Sequence, residues 1–328
     1  MMRTIPLLTG LVLAAATLVS GPEAVARTRE LRLGLVTPPS HVWTRLAERM
    51  GQTLAGEPDV GLTLKIFPAS QLGNEPEMLQ QMQAGLLDMG IITAAVLSLR
   101  EPSLIGWFTP YLFSDVGAAA RAAATPAARE MLGNLEKSGL VGLGYTFAGM
   151  RHVLMRTGPV RGPEDLAYKK IRIVPFPAME VWWKAIGAAP TPVHLSGVYQ
   201  SLQTGVLDGV DIDLDALVGM KLHEVARHLS LTNHMAFPGV VVASRQTWRA
   251  LAEPQRRRLQ AIVEEGLQWA LKQQIAAEST HRATLRNVIE VAELADGEDR
   301  FARANAAFAE RFGGDKLIAR FVAQARGR

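Results

Sequence analysis

The fold is decided by a stretch that opens with the run LRLGLV (31–36) and continues, after an amphipathic segment (43–54), with the run LTLKIF (62–67). Both runs have the length and apolar content of short strands. A second amphipathic segment (75–84) and a third apolar run (89–92) follow. This order predicts a βαβαβ unit with two parallel crossovers, and a ligand is expected at the carboxyl ends of its strands.

The rest of the chain continues the alternation of strands and helices. Further strands are predicted at 140–147, 152–155, 170–174, 209–212 and 240–243, and further helices at 181–186 and 197–204. A long helix is predicted to begin near Pro254, where one apolar stripe persists for about five turns. The pattern predicts an α/β fold of two lobes, each a β-sheet flanked by helices, with the long C-terminal helix bracing both lobes.

The chain has 328 residues, which is near the size at which a single core divides into two. The first lobe is predicted to contain residues 27–150 and about 235–252. The second is predicted to contain residues 151–234 and the C-terminal part of 253–328. Because no low-complexity linker is visible, strands that cross between the lobes are expected to join them.

The N-terminus has the pattern of a secretory signal. Arg3 precedes an apolar run at 5–19, Gly21-Pro22 ends the run, and Ala24-Val25-Ala26 forms a cleavage site. A run of this length is shorter than the ~20 residues that span a bilayer, so a membrane anchor is the weaker interpretation. We therefore expect residues 1–26 to be removed before Arg27 and a soluble mature protein in the periplasm.

Composition excludes several classes of function. The chain has no cysteine, so thiol nucleophiles, disulfides and cysteine-based zinc sites are absent. Its formal net charge is +4, and no basic run alternates with aromatic residues, which argues against nucleic-acid binding. The remaining cations are still available to an anionic ligand.

Catalytic and metal motifs are not found in the sequence. His223 and His228 are five residues apart, which on a helix separates them by about 140°, too far to share a zinc ion. The alternating acids at 208, 211, 213 and 215 lack the spacing of a calcium loop and fit a strand leaving a sheet. No cofactor and no metal are predicted. The lack of these motifs argues against an enzyme without excluding one.

Three segments, in order, resemble one known family. They are FPASQLGNEPEM (67–78) with QAGLLDM (83–89); KKIRI (169–173) with GAAPTPV (187–193) and VYQSLQTGVLDG (198–209); and TNH (232–234) leading to WRAL (248–251). The chain resembles the solute receptors of tripartite ATP-independent periplasmic (TRAP) transporters, in the C4-dicarboxylate-binding branch. The resemblance spans the whole mature chain, and its middle block is the most specific.

The resemblance implies a two-lobed receptor that closes on an organic acid and delivers it to a membrane permease driven by an ion gradient. In the family, an arginine in the strand corresponding to 170–173 pairs with the substrate carboxylate, and here it is Arg172. A second arginine upstream often assists, and Arg151 matches it. A guanidinium is always charged and offers a planar fork that suits a carboxylate.

The chain departs from the family pattern after Asp208-Gly209. Many relatives read Gln-Glu-Asn-Pro there, but this chain has Ile212 where the ligand-binding asparagine stands. Asp211 is a candidate contact for a ligand amine, hydroxyl or cation, or else a structural acid. Leu195 stands where relatives often have an aromatic residue. Apolar side chains at 195 and 212 favour a less polar acid, branched or aromatic.

The remaining candidate ligand-binding residues follow strands of the first lobe. Thr93 ends the third strand, His41 and Trp43 follow the first, and Asn74 lies in the first family segment. The leading hypothesis is a monomeric periplasmic receptor for a small carboxylate, with TRAP permease subunits as its partner. Two alternatives stay open, a secreted α/β hydrolase that uses Asp211 with a histidine and a sensing subunit that acts through a membrane kinase.

Overall fold

The computed structural model describes residues 28–327, and the predicted signal segment (1–26) lies outside them. The strands are β1 (Arg29–Gly34), β2 (Leu62–Phe67), β3 (Met89–Thr93), β4 (Leu140–Met150), β5 (His152–Met155), β6 (Lys170–Ile173), β7 (Ala189–Pro192), β8 (Gly209–Ile212), β9 (His228–Leu231), β10 (Ala236–Ser244) and β11 (Glu290–Glu293). The helices are α1 (Val42–Ala55), α2 (Glu75–Gln83), α3 (Ala94–Leu97), α4 (Val116–Ala122), α5 (Pro126–Asn134), α6 (Pro177–Ile186), α7 (Val198–Gln203), α8 (Leu214–Gly219), α9 (Arg245–Ala250), α10 (Glu253–Arg286), α11 (Gly297–Arg300), α12 (Ala302–Phe312) and α13 (Lys316–Ala325).

The first lobe is built on a five-stranded sheet with the order β2-β1-β3-β10-β4. β1 lies parallel to both β2 and β3, with Leu33 opposite Ile66 on one side and Met89 on the other. The predicted βαβαβ unit is therefore confirmed. β10 returns from the second lobe and runs antiparallel to β3 and β4. The sheet thus includes a strand that is distant in sequence.

Local sequence explains why the two crossover helices form where they do. The amphipathic face of α1 buries Trp43, Leu46 and Met50. α2 begins with a capping box, in which Asn74 Oδ1 accepts from Glu77 N at 3.0 Å and Glu77 Oε2 accepts from Asn74 N at 2.8 Å. Such a box satisfies two backbone donors at a helix N-terminus. The first family segment therefore positions the start of α2.

The second lobe is built on a six-stranded sheet with the order β11-β9-β5-β8-β6-β7. β6 runs parallel to β7 and β8, whereas β5 is antiparallel to β8 and β9. β7 contains Pro190 and Pro192 and lies at the sheet edge, where the missing N–H groups are tolerated. The parallel pairing of β6 and β8 brings their carboxyl ends to one edge of the sheet.

The long helix α10 has 34 residues and is about 51 Å long. It contacts α1 and β4 of the first lobe and α8 and β11 of the second, so it braces both, as predicted. The final helix α13 contacts α4 and α5 of the first lobe, and its Phe321 ring lies 4.6 Å from that of Trp107. The assignment of the C-terminal part of 253–328 to the second lobe is therefore wrong for α13. Burial of Phe321 in the first lobe's aromatic cluster explains the difference.

No helix within residues 28–327 combines the length and the apolar composition needed to cross a bilayer.

Candidate functional site

A cavity lies between the two sheets, at the carboxyl ends of β3, β6 and β8 and beside the turn after β1. Its volume is about 640 Å³ including the opening to solvent. Seven of the eight ligand-binding candidates line it, namely Trp43, Asn74, Thr93, Arg151, Arg172, Leu195 and Ile212. His41 lines it as well, and Asp211 does not. Strand ends and family segments in the sequence therefore pointed to residues that share one cavity.

Arg172 extends from β6 into this cavity and is 3% exposed. Its Nε donates to the carbonyl oxygen of Val193 at 2.8 Å. Among residues 28–327, Nη1 and Nη2 have no hydrogen-bond partner. Burial, and then the nearby charge of Arg151, lower the pKa of Arg172 to about 9. A buried guanidinium with an unpaired fork is a site for an anion with two acceptor oxygens.

Arg151 lies between β4 and β5, and its side chain is already paired. Its Nε donates to Asp211 Oδ1 at 2.5 Å, its Nη1 donates to Asp213 Oδ2 at 3.1 Å, and its Nη2 donates to the Asp211 carbonyl oxygen. The guanidinium carbon also lies 4.2 Å from the centre of the Phe237 ring. Two carboxylates thus offset the charge of Arg151, so it resembles a positioning residue more than a second carboxylate ligand.

Asp211 is fully buried behind Arg151 and away from the cavity wall. Burial acts to raise the pKa of Asp211, but the charge of Arg151 and the contact with His234 outweigh it and lower the pKa to about 2. Of the two roles considered for Asp211, the structural one therefore agrees with this position, and the direct ligand contact does not. Asp213 lines the cavity instead and caps α8 by accepting from Ala216 N at 2.8 Å.

Glu75 is a cavity residue that the sequence analysis missed. It is 6% exposed and accepts hydrogen bonds from Thr93 N at 2.6 Å and from Thr93 Oγ1 at 2.9 Å. Burial raises the pKa of Glu75 to about 7. The signal was present beside Asn74 in the first family segment. However, an acidic residue followed by proline at a helix start has an ordinary explanation in helix capping.

Apolar side chains form much of the remaining wall. Trp43, Ile212 and Leu195 are joined there by Phe237 and Val174. The buried Nε1 of Trp43 has no hydrogen-bond partner among the described residues. The cavity therefore combines one charged fork with a largely apolar wall, an arrangement typical of small-molecule sites.

His41 joins the two lobes beside the cavity. Its Nε2 lies 3.7 Å from Asp213 Oδ1 and 3.9 Å from Asp215 Oδ2, while Val42 N donates to Asp215 Oδ2 at 2.8 Å. Burial acts to lower the pKa of His41, but the nearby carboxylates of Asp213 and Asp215 raise it above its ordinary value. These contacts hold the turn after β1 against the start of α8.

The structure shows where the metal-ligating side chains and the acid–base pair of the hydrolase alternative lie. Over residues 28–327, no three side chains of the metal-ligating types are gathered as an ion would require. Asp211 has His234 Nε2 at 3.6 Å from its Oδ1, but both side chains are fully buried and neither lines the cavity. The hydrolase alternative names Asp211 with a histidine, and the Asp211–His234 pair is not presented to a substrate in the cavity.

Comparison with known proteins agrees with the arrangement of lobes and cavity. The chain is 29% identical over 211 residues to the C4-dicarboxylate-binding periplasmic protein DctP of Rhodobacter capsulatus, covering 63% of this chain and 62% of that protein. A TRAP periplasmic solute-binding protein from Bradyrhizobium, solved with galacturonate, has a TM-score of 0.86 and 26% identity and covers 92% of this chain and 100% of its own. Another from Polaromonas, bound to D-erythronate, has a TM-score of 0.83 and 26% identity, covering 90% and 98%.

The family model DctP, described as bacterial extracellular solute-binding protein, family 7, matches residues 33–306. The match includes the strands that end at the cavity and the family segments identified from the sequence. The chain therefore belongs to the bacterial extracellular solute-binding proteins of family 7.

Proposed function

We propose that this protein is a periplasmic receptor that binds a small organic acid in the interlobe cavity, with the ligand carboxylate on Arg172. The observation that carries the proposal is the buried guanidinium of Arg172, whose Nη1 and Nη2 have no partner among the described residues. These donors are available to a ligand in the cavity, and a carboxylate satisfies both at once. Arg151 orients the site from behind through Asp211 and Asp213.

The protein performs no chemical step in this proposal. After export and removal of residues 1–26, the closed receptor delivers its ligand to a TRAP-type permease driven by an ion gradient. Membership in the family supports this role, as do the sugar acids bound in the Bradyrhizobium and Polaromonas proteins. A permease gene beside the gene for this chain would support transport, whereas a sensor-kinase gene would favour the sensing alternative.

The test is a thermal-shift screen of an acid panel on unfolded and refolded protein, because refolding removes ligand carried over from expression. The panel contains galacturonate, D-erythronate, pantoate and C4-dicarboxylates. A ligand at a hundred times its Kd should stabilise the protein by about 2.7 kcal/mol. Titration calorimetry then measures the affinity of each hit. If no organic acid shifts the melting temperature, while a neutral solute does, the proposal is wrong.

A further inference from the structure

Of the cations that line the cavity, one is available to pair with a ligand carboxylate. Arg172 and Arg151 contribute the cations, Glu75 and Asp213 the acids, and His41 and His194 the other titratable groups. Arg151 already faces Asp211 and Asp213, and His41 faces Asp213 and Asp215. Among the described residues that line the cavity, Arg172 is the cation that has no ion pair.

Glu75 is the cavity acid that makes no ion pair among the described residues, and the charge of Arg172, which faces it, acts to lower its pKa against the larger effect of burial. Thr93 donates one hydrogen bond to each of its carboxylate oxygens, which fixes the group at the carboxyl end of β3. Each oxygen can still accept a second hydrogen bond. A ligand hydroxyl facing Glu75 can therefore donate to it. A second ligand carboxylate in that place would meet a buried like charge.

We infer that the cavity selects monocarboxylic acids that carry a hydroxyl group and that Glu75 rejects the corresponding dicarboxylates. The inference rests on the proposed function and specifies its ligand class. Arg172 holds the carboxylate, Glu75 accepts from the hydroxyl, and Trp43, Leu195 and Ile212 cover the carbon skeleton. The assignment departs from the dicarboxylate named for the Rhodobacter relative.

Matched pairs of acids test this selectivity. Meso-tartrate differs from D-erythronate, and 3,3-dimethylmalate differs from pantoate, in having a carboxylate where the partner has a terminal CH₂OH. Titration calorimetry of the full mature protein at pH 8 should find that each monocarboxylate that binds does so at least tenfold more tightly than its dicarboxylate partner, a difference of about 1.4 kcal/mol or more. A dicarboxylate that binds as tightly as its partner overturns this inference and leaves the proposed function intact. Failure of both pairs and of every acid in the panel overturns the proposed function as well.

Two further measurements assign the discrimination to Glu75. The Glu75→Gln variant should reduce the preference for the monocarboxylate at least fivefold. Glu77→Gln, an exposed substitution of the same kind on the same helix that keeps the capping geometry available, should leave the preference unchanged. An unchanged preference in folded Glu75→Gln overturns the assignment.

The wild-type pH profile provides a readout that does not depend on the variant folding. A dicarboxylate can bind beside Glu75 only when that carboxyl carries a proton. Because burial raises the pKa of Glu75 to about 7, dicarboxylate affinity should fall about tenfold per pH unit above 7. Monocarboxylate affinity should change less over the same range. Parallel profiles for the two ligand classes would contradict the role of Glu75.

Discussion

Replacement of Arg172 by alanine tests the site most directly. The side chain is 3% exposed and makes one hydrogen bond to the protein, from Nε to Val193. Its remaining donors are available to ligand, so the variant leaves a buried ligand carboxylate unpaired. Removing one partner of a buried charged pair costs about 2–5 kcal/mol. Arg172→Ala should therefore weaken binding roughly 30-fold to a few thousand-fold, measured by titration calorimetry.

Two companion variants separate charge from geometry. Arg172→Lys should recover only part of the lost affinity, because an ammonium keeps the charge without the planar fork. Lys170→Ala removes an exposed cation from the same strand and should bind like the wild type. Similar losses in the Arg172→Lys and Arg172→Ala variants would show that geometry outweighs charge, and a loss in Lys170→Ala would point to a diffuse electrostatic effect.

The stability of the ligand-free Arg172→Ala variant provides an independent readout. Burial lowers the pKa of Arg172 by more than the nearby carboxylates raise it, so removing this charge should leave the melting temperature of the free protein unchanged or raised. If Arg172 binds the ligand, its replacement should reduce the affinity and leave the stability of the free protein unchanged. If Arg172 is a structural residue, its replacement should reduce both. If Arg172→Ala binds within about twofold of wild type, a change of ~0.4 kcal/mol, the carboxylate binds elsewhere and Arg172 is not its ligand.

Four other outcomes are expected. Arg151→Ala should destabilise the free protein by about 3–5 kcal/mol in denaturant unfolding, because Asp211 and Asp213 lose their cation; an unchanged midpoint would refute its positioning role. The raised pKa of His41 should add stability that is fully present below about pH 6.5 and is lost as pH rises through the raised value. The melting-temperature difference between wild type and His41→Asn should therefore shrink with rising pH, and a constant difference would contradict this role of His41. Intact-mass measurement of periplasmic protein should give Arg27 as the N-terminus, and a mass that includes residues 1–26 would exclude cleavage. Small-angle scattering should show a smaller radius of gyration with ligand than without, whereas an equal radius would reject hinged closure.

Local pattern was sufficient for many of the elements. The strands at 62–67, 152–155 and 209–212 have the predicted bounds, because each is an apolar run ended by turn residues. The pattern did not predict β7, β9 or β11. β7 carries two prolines. β7 and β11 are the edge strands of the second sheet, so each of them pairs with a neighbouring strand on one side only. Such strands are defined by their neighbours more than by their own residues.

The two arginines show what sequence alone determined and what it left to tertiary structure. Residue type and family segments predicted that Arg151 and Arg172 are both carboxylate ligands, since both carry the same guanidinium. Only the fold pairs Arg151 with Asp211, 60 residues away, and leaves the Nη groups of Arg172 without a partner among the described residues. Likewise, Glu75 was visible at a helix start, but its burial against Thr93 depends on β3. The sequence determined many of the strands and helices and the chemistry available to the site. Tertiary structure decided which charges are offset, because that depends on distances between residues far apart in the chain.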